Sequence, residues 1–213
     1  IRADLLEGLP HGFFGRRGGV SRGIVSGLNT GFGAGDDPAA VAENRQRAAG
    51  ALLPGAAMVS VHQVHSPDCV TVREPWGDAD RPQADALVTA RPGVLLAIVT
   101  ADCAPVLLAD REAGVVGAAH AGWKGAIGGV TDRTIAAMQA LGARPERIAA
   151  AIGPCIGAAS FDLMGASECA ATDWPTLPWL ALDRDGDGAI SDGRELFGSG
   201  TRMATGQRAA DGF

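Results

Sequence analysis

No apolar run in this chain approaches the ~18 residues that a membrane-spanning helix needs, so no membrane partner is expected. Basic charge is not in excess either. The 18 Lys and Arg stand against 24 Asp and Glu, and the net charge of −6 argues against a broad surface that tracks nucleic-acid phosphates. A small phosphorylated or nucleoside substrate is compatible with that balance. Cysteine is scarce: Cys69, Cys103, Cys155 and Cys169 are too few to staple a chain of 213 residues, so reduced thiols and a cytoplasmic location are expected. Residues 1–10 lack the basic start and apolar stretch of a secretory signal. They also lack an initiator Met, which leaves a fragment or a processed product as readings. Tyrosine is absent and histidine occurs four times. Glycine is abundant instead, and it clusters in short motifs, which points to tight turns and close backbone approaches rather than a flexible linker.

After a turn-rich opening over residues 11–35, Asp37 and Pro38 form a helix start, with Val41, Ala48, Leu52 and Leu53 as the apolar stripe. Short strands are expected at 58–61 and 70–72, around the turn His65-Ser66-Pro67-Asp68. Continuous apolar runs at 94–99 and 106–109 read as strands buried on both faces. Another strand covers 115–119 and ends at His120. A helix over 129–141 carries Ile135, Met138 and Leu141 on one side and stops at Gly142, and a last strand covers 148–152. The pattern is that of an α/β protein with mixed sheets and flanking helices. Beyond Phe161 the character changes. A boundary falls near residues 162–178, which divides the chain into a catalytic domain over 1–163 and an atypical tail over 164–213.

Chemistry concentrates at strand ends. His65, Cys103 and His120 each follow or end an expected strand, so neighbouring strand ends can bring two imidazoles and a thiolate together. That trio is a good zinc set with one open position, the mark of a catalytic rather than a structural site. A buried Cys with two hydrogen-bonded His is the alternative, and the spacing alone leaves both open. His62, three residues before His65, should lie on the opposite face of a strand and is not expected to ligate. Asp102 is a candidate acid/base, or a partner that orients a ligand His. Arg16, Asn29, Arg45 and Lys124 are candidates for holding substrate, the cations by meeting phosphate. Cys155 reads as a small packed residue, and Trp123 as core or pocket wall.

The segments HGFFGRRGGVS, GLNTGFG, DDPAAVAENR, HQVHSPDCV, ADALVTARPGV, TADCAPVLLAD, AAHAGWKGA and AAIGPCIG run in an order that resembles the YfiH-like, laccase-domain family over residues 12–161. Lys124 stands where that family often has Arg, which retains the charge. The resemblance implies zinc on His65, Cys103 and His120, and an α/β fold related to cysteine-hydrolase-like toxin domains. It also implies purine nucleoside phosphorylase, adenosine deaminase and methylthioadenosine phosphorylase activities on nucleoside and phosphate. Polyphenol oxidation and peptidoglycan editing are further labels that family carries. Four His cannot furnish a blue-copper site together with a three-copper cluster, although a single copper on the same trio would be bound readily. In a separate reading Cys103 is a nucleophile activated by His120. The family's C-terminal third, with its CTY and SYRR-like motifs, is missing, which implies a C-terminally incomplete fold and admits an inactive metal-binding fragment.

The tail carries LDRDGDGAISDGRELFG. Asp183, Asp185 and Asp187, followed by Gly188 and Ile190, reproduce the first half of a calcium loop. Arg194 stands at the twelfth position, where a bidentate Glu is expected, and Glu195 follows one residue late. Residues 183–195 resemble the calcium loops of bacterial exported proteins, which tolerate that spacing. An acidic, solvated turn is the alternative.

Overall fold

The computed structural model describes residues 1–156. The expected domain boundary and the calcium-loop residues Asp183, Asp185, Asp187 and Glu195 lie outside the described residues.

Helix α1 (Pro38–Leu52) starts as the sequence dictates, with the Asp37 side chain accepting from the Ala39 N–H and Pro38 in the first turn. Its buried face is more polar than the expected stripe, because Asn44 and Arg45 join Val41 and Ala48 there. Asn44 is fully buried. Its Oδ1 accepts from the Val20 N–H, and its amide donates to Ser21 Oγ and to the carbonyls of Gly27 and Asn29. One amide thus ties down the Gly-rich opening loop, whose own backbone makes few regular hydrogen bonds.

Seven strands follow among the described residues: β1 (Ala57–Ser60), β2 (Cys69–Thr71), β3 (Ala86–Thr89), β4 (Val94–Ala97), β5 (Ala104–Asp110), β6 (Val115–Ala121) and β7 (Ala149–Ile152). They make a parallel pair β1-β4 and a five-stranded mixed sheet in the order β2-β3-β6-β5-β7. Helix α2 (Trp123–Ile127) follows β6 directly, and α3 (Val130–Ala140) covers one face of the larger sheet. Alternation along the strands explains the two cores. Ala86 and Val88 of β3 and Val115 and Ala119 of β6 pack with Val130 and Met138 of α3, whereas Leu87 joins Val59, Val61, Val72 and Val94 on the opposite side. Helix α3 packs closely over Gly117, where a Cβ would lie 3.1 Å from Thr134 Cγ2 and 3.2 Å from Met138 Sδ and would press on both. The last turn of α3 ends at Gly142, with φ +98°.

The fold departs from the sequence reading in several places, among them the short helix α2, which was not expected. Strand β3 was not expected, because four residues of Ala-Leu-Val-Thr, all buried, offer no alternation to read. Strand β4 ends at Ala97 instead of continuing to residue 99, and its second half is only partly buried. Finally, β6 runs through His120 to Ala121, so this histidine sits within the ladder. No helix among the described residues is long and apolar enough to cross a membrane.

Asp110, buried at the end of β5, closes the β5-β6 turn. Its Oδ1 accepts from the N–H groups of Glu112 and Ala113, and its Oδ2 accepts from the Arg144 N–H and the Arg147 guanidinium. Burial raises its pKa, but these donors and the Arg147 charge outweigh that and hold it at about 2. A carboxylate whose pKa is lower folded than unfolded stabilises the fold above its unfolded value of ~3.9, and that stabilisation fades as pH falls through the folded value. Asp110→Asn is therefore expected to lower stability at pH 7, with the gap to the parent closing between pH ~4 and pH ~2. Urea denaturation across that range measures it; a gap of constant size at all pH values would refute the assignment.

Candidate metal centre

Strand register builds the site. In the β3-β6 ladder Ala86 faces Ala119, which sets Asp85 opposite His120 one step further, and the His120 N–H donates to the Asp85 carbonyl at 2.7 Å. In the β5-β6 ladder Ala104 faces Ala121, which sets Cys103 opposite Gly122. His65 arrives from the loop between β1 and β2. It is the only non-glycine residue of the described chain with positive φ, at 59°. The donor atoms of His65, Cys103 and His120 then all lie within 4.8 Å of one another. His65 Nε2 is 3.7 Å from Cys103 Sγ, and the two imidazole rings meet edge to face with centroids 4.8 Å apart. Exposure falls from His65, which is exposed, through half-buried Cys103 to buried His120.

Asp85 is fully buried and holds both histidines. Its Oδ1 accepts from His120 Nδ1 at 2.8 Å, which leaves Nε2 of that ring for the centre. Its Oδ2 accepts from the N–H groups of Val64 at 3.1 Å and Ser66 at 2.6 Å, the residues on either side of His65. For Asp85, burial raises the pKa, but the His120 ring and the loop N–H groups outweigh it and the carboxyl stays ionised. For His120, burial works downward, while the Asp85 hydrogen bond and the neighbouring Cys103 raise its pKa to about 9. His65 moves the other way, lowered first by partial burial and then by the charges of His120 and Lys124.

The arrangement fits a small, borderline-soft cation. A tetrahedral zinc holds N and S donors roughly 3.3–3.7 Å apart, within small side-chain rotations of the observed spacing. A ring nitrogen pinned by a buried carboxylate is the usual support of a metal-bound imidazole. Gly122 leaves the space: a Cβ there would lie 2.5 Å from His65 Cδ2 and 3.1 Å from Cys103 Sγ.

Other candidate residues fall elsewhere or have other partners. Asp102 does not orient a histidine; the register gives that task to Asp85, which the sequence reading missed because β3 was missed. Half-buried Asp102 sits beside Cys103 with its pKa raised by burial. Arg45 is buried, donates to Thr30 O, Ser60 Oγ and Asp78 Oδ1, and lies over the Phe32 ring. Arg16 donates to the carbonyls of Ile24 and Ser26, and the Asn29 amide to Gly31 O and Asp36. These three brace the opening loop. Lys124 is exposed, with its Nζ 5.5 Å from the Trp123 ring. Trp123 is exposed rather than core. His62 stays outside the trio, though for another reason than a strand face: the chain after β1 leaves its ladder, and His62 bridges to Gln83. Half-buried Cys155 follows β7, and His11 has both ring nitrogens engaged with backbone groups of Ala3 and Leu9.

Comparison with known proteins agrees with this architecture. The family described as multi-copper polyphenol oxidoreductase laccase matches residues 10–174. A protein of Deinococcus radiodurans named purine nucleoside phosphorylase is 52% identical over 76% of this chain and 62% of its own length. The purine nucleoside phosphorylase YfiH of Escherichia coli is 39% identical over 70% of this chain and 60% of its own length. Among solved structures, YlmD of Geobacillus stearothermophilus superposes with a TM-score of 0.64 at 37% identity, covering 68% of this chain and 57% of that one. The NMB0706 protein of Neisseria meningitidis gives 0.62 at 42% identity over the same shares. The chain thus spans about three fifths of the length of the curated relatives it matches. With the family pattern covering most of its length and the strand ends arranged as described, the chain belongs to the laccase-like, YfiH family.

Proposed function

We propose that this chain is a zinc-dependent enzyme acting on purine nucleosides, cleaving adenosine, inosine and methylthioadenosine with phosphate and deaminating adenosine. The observation that carries the reading is the convergence of His65, Cys103 and His120 within 4.8 Å. Zinc held there would supply Lewis-acid activation at an open coordination position. Asp85 keeps the His120 ring in one tautomer and one orientation. Asp102, beside Cys103, is assigned the acid/base role, and Lys124, whose charge is felt at His65, the task of drawing phosphate to the site. The relatives named purine nucleoside phosphorylase support the choice of substrate class.

A multi-copper oxidase reading is poorly served by the donors. The chain has four His, and of these His11 and His62 stand apart from the trio. One copper on the same trio would give at most a single-ion site. The placing of Cys103 Sγ within 4.8 Å of the His120 ring, which Asp85 orients, also favours a second reading, a cysteine nucleophile with its base and orienting carboxylate. That reading needs only one imidazole beside the thiol, although His65 Nε2 also lies 3.7 Å from Cys103 Sγ, whereas a metal employs all three side chains.

Metal analysis should find one zinc per chain, lost or greatly weakened in His65→Ala, Cys103→Ser and His120→Ala. Near-stoichiometric zinc in all three variants would rule out the site. Cys103 should resist alkylation until a chelator is added; immediate reaction in the metal-loaded protein would favour the nucleophile reading. Adenosine or inosine with phosphate should be turned over faster than any phenol, and turnover that requires copper and oxygen would replace the nucleoside reading with the oxidase one. Gly122→Ala keeps a backbone conformation open to any residue, with φ −65° and ψ 156°. It should weaken zinc by about tenfold or more while barely changing the melting temperature. Unchanged zinc affinity would show that the gap at Gly122 does not serve the metal.

A further inference from the structure

Three chain segments bring the donors, and two of the three links between them are plain. Cys103 and His120 are tied by the β5-β6 ladder, and His65 and His120 by Asp85. The third link, from the His65 turn to the segment that delivers Cys103, crosses between the two sheets. The parallel ladder of β1 and β4 ends at Ser60 opposite Ala97. Beyond it the β1 chain swings away, and His62 exchanges backbone hydrogen bonds with Pro82 and Ala84 instead. The 98–103 segment therefore loses its backbone partner just before it reaches Cys103. Gln63 replaces that partner. Its Nε2 donates to the Val99 carbonyl at 2.7 Å, and its Oε1 accepts from the Val99 N–H at 2.8 Å. One amide, two residues before His65, reproduces both hydrogen bonds of a strand neighbour on Val99, four residues before Cys103.

From this geometry we infer that Gln63 is a positioning residue of the metal centre: it locks the His65 turn to the Cys103 segment, as Asp85 locks it to His120. The inference rests on the metal reading above. It explains why the 94–99 run does not continue as strand although its composition invites one, since Val99 is claimed by a side chain. It also assigns a division of labour. Asp85 fixes the imidazoles relative to each other, and Gln63 fixes the spacing between thiolate and imidazole.

Cobalt(II) titration of the purified chain reads this directly, because cobalt takes the place of zinc and its thiolate charge-transfer band reports the Cys103 bond. Gln63→Leu should remain folded by circular dichroism, weaken cobalt about 10–100-fold and reduce the thiolate band. Gln63→Glu keeps the acceptor for the Val99 N–H but loses the donor, so its affinity should fall in between. Thr89→Val serves as the control: it removes a buried hydrogen bond to the Val72 carbonyl away from the centre, so it should lower the melting temperature and leave cobalt binding intact. If Gln63→Leu does not fold, the Glu variant decides, and parent-like affinity and band intensity there would overturn the inference. The same result in a folded Gln63→Leu would do so too, with the metal reading left standing. Failure of the parent chain to bind cobalt would overturn both.

Discussion

The pairing of Asp85 with His120 is the constraint around which the rest of the centre is organised. A carboxylate that is fully buried needs several donors to remain ionised, because burial alone would push it toward the neutral form. Here the donors are the imidazole of His120 and the loop N–H groups around His65. Removing water from Asp85 and assembling two candidate ligands are therefore one event. The positive φ of His65 belongs to the same account. A left-handed backbone at a non-glycine residue persists only where its surroundings fix it, and the N–H groups on both sides are held by one oxygen.

That arrangement depends in turn on sheet register. Asp85 and His120 face each other only because Ala86 pairs with Ala119, and a slip of one residue would turn every side chain of β3 to the other face. The register is secured by burial on both sides: Ala86 and Val88 pack beneath α3, and Leu87 packs into the second core. Apolar packing far from the centre thus sets the position of its charged groups. Gly122 completes the pattern, since the β5-β6 register sets it opposite Cys103 and its missing side chain is the room into which the donors fit.

How much of this could be read from the sequence follows from which signals are local. The cap at Asp37, the stop at Gly142 and the strands around 106–109 and 115–119 rest on neighbours in the chain, and each has its counterpart in the fold. The trio of His65, Cys103 and His120 was legible through residue type and through the resemblance of the surrounding segments to the YfiH-like family, since spacing alone left a metal set and hydrogen-bonded side chains both open. Asp85 was not, because its role comes from a cross-strand pairing with a residue 35 positions away, on a strand too short and too uniformly buried to show a period. Arg45 misled for the opposite reason. A cation after a helix start looks available to phosphate, but its partners Thr30, Ser60 and Asp78 are brought to it only by the fold.

Every group of the centre, from Gln63 and His65 through Asp85 and Cys103 to His120 and Gly122, lies within two ladders and the loops that join them. The candidate metal trio and the groups that support it therefore fall within residues 63–122, less than a quarter of the length over which the longer relatives extend. Recognition of a nucleoside and of phosphate makes different demands: an apolar surface for the base and cations for the anion. Of the cations considered, Arg16 and Arg45 are bonded to the opening loop and its surroundings, whereas Lys124 is exposed on α2, two residues beyond Gly122. On the function proposed above, electrostatic attraction of phosphate would fall to Lys124, which directly follows Trp123 at the end of the HAGW segment, on the helix that starts where β6 leaves the sheet. The strand whose register places His120 against Asp85 thus leads, four residues on, to Lys124.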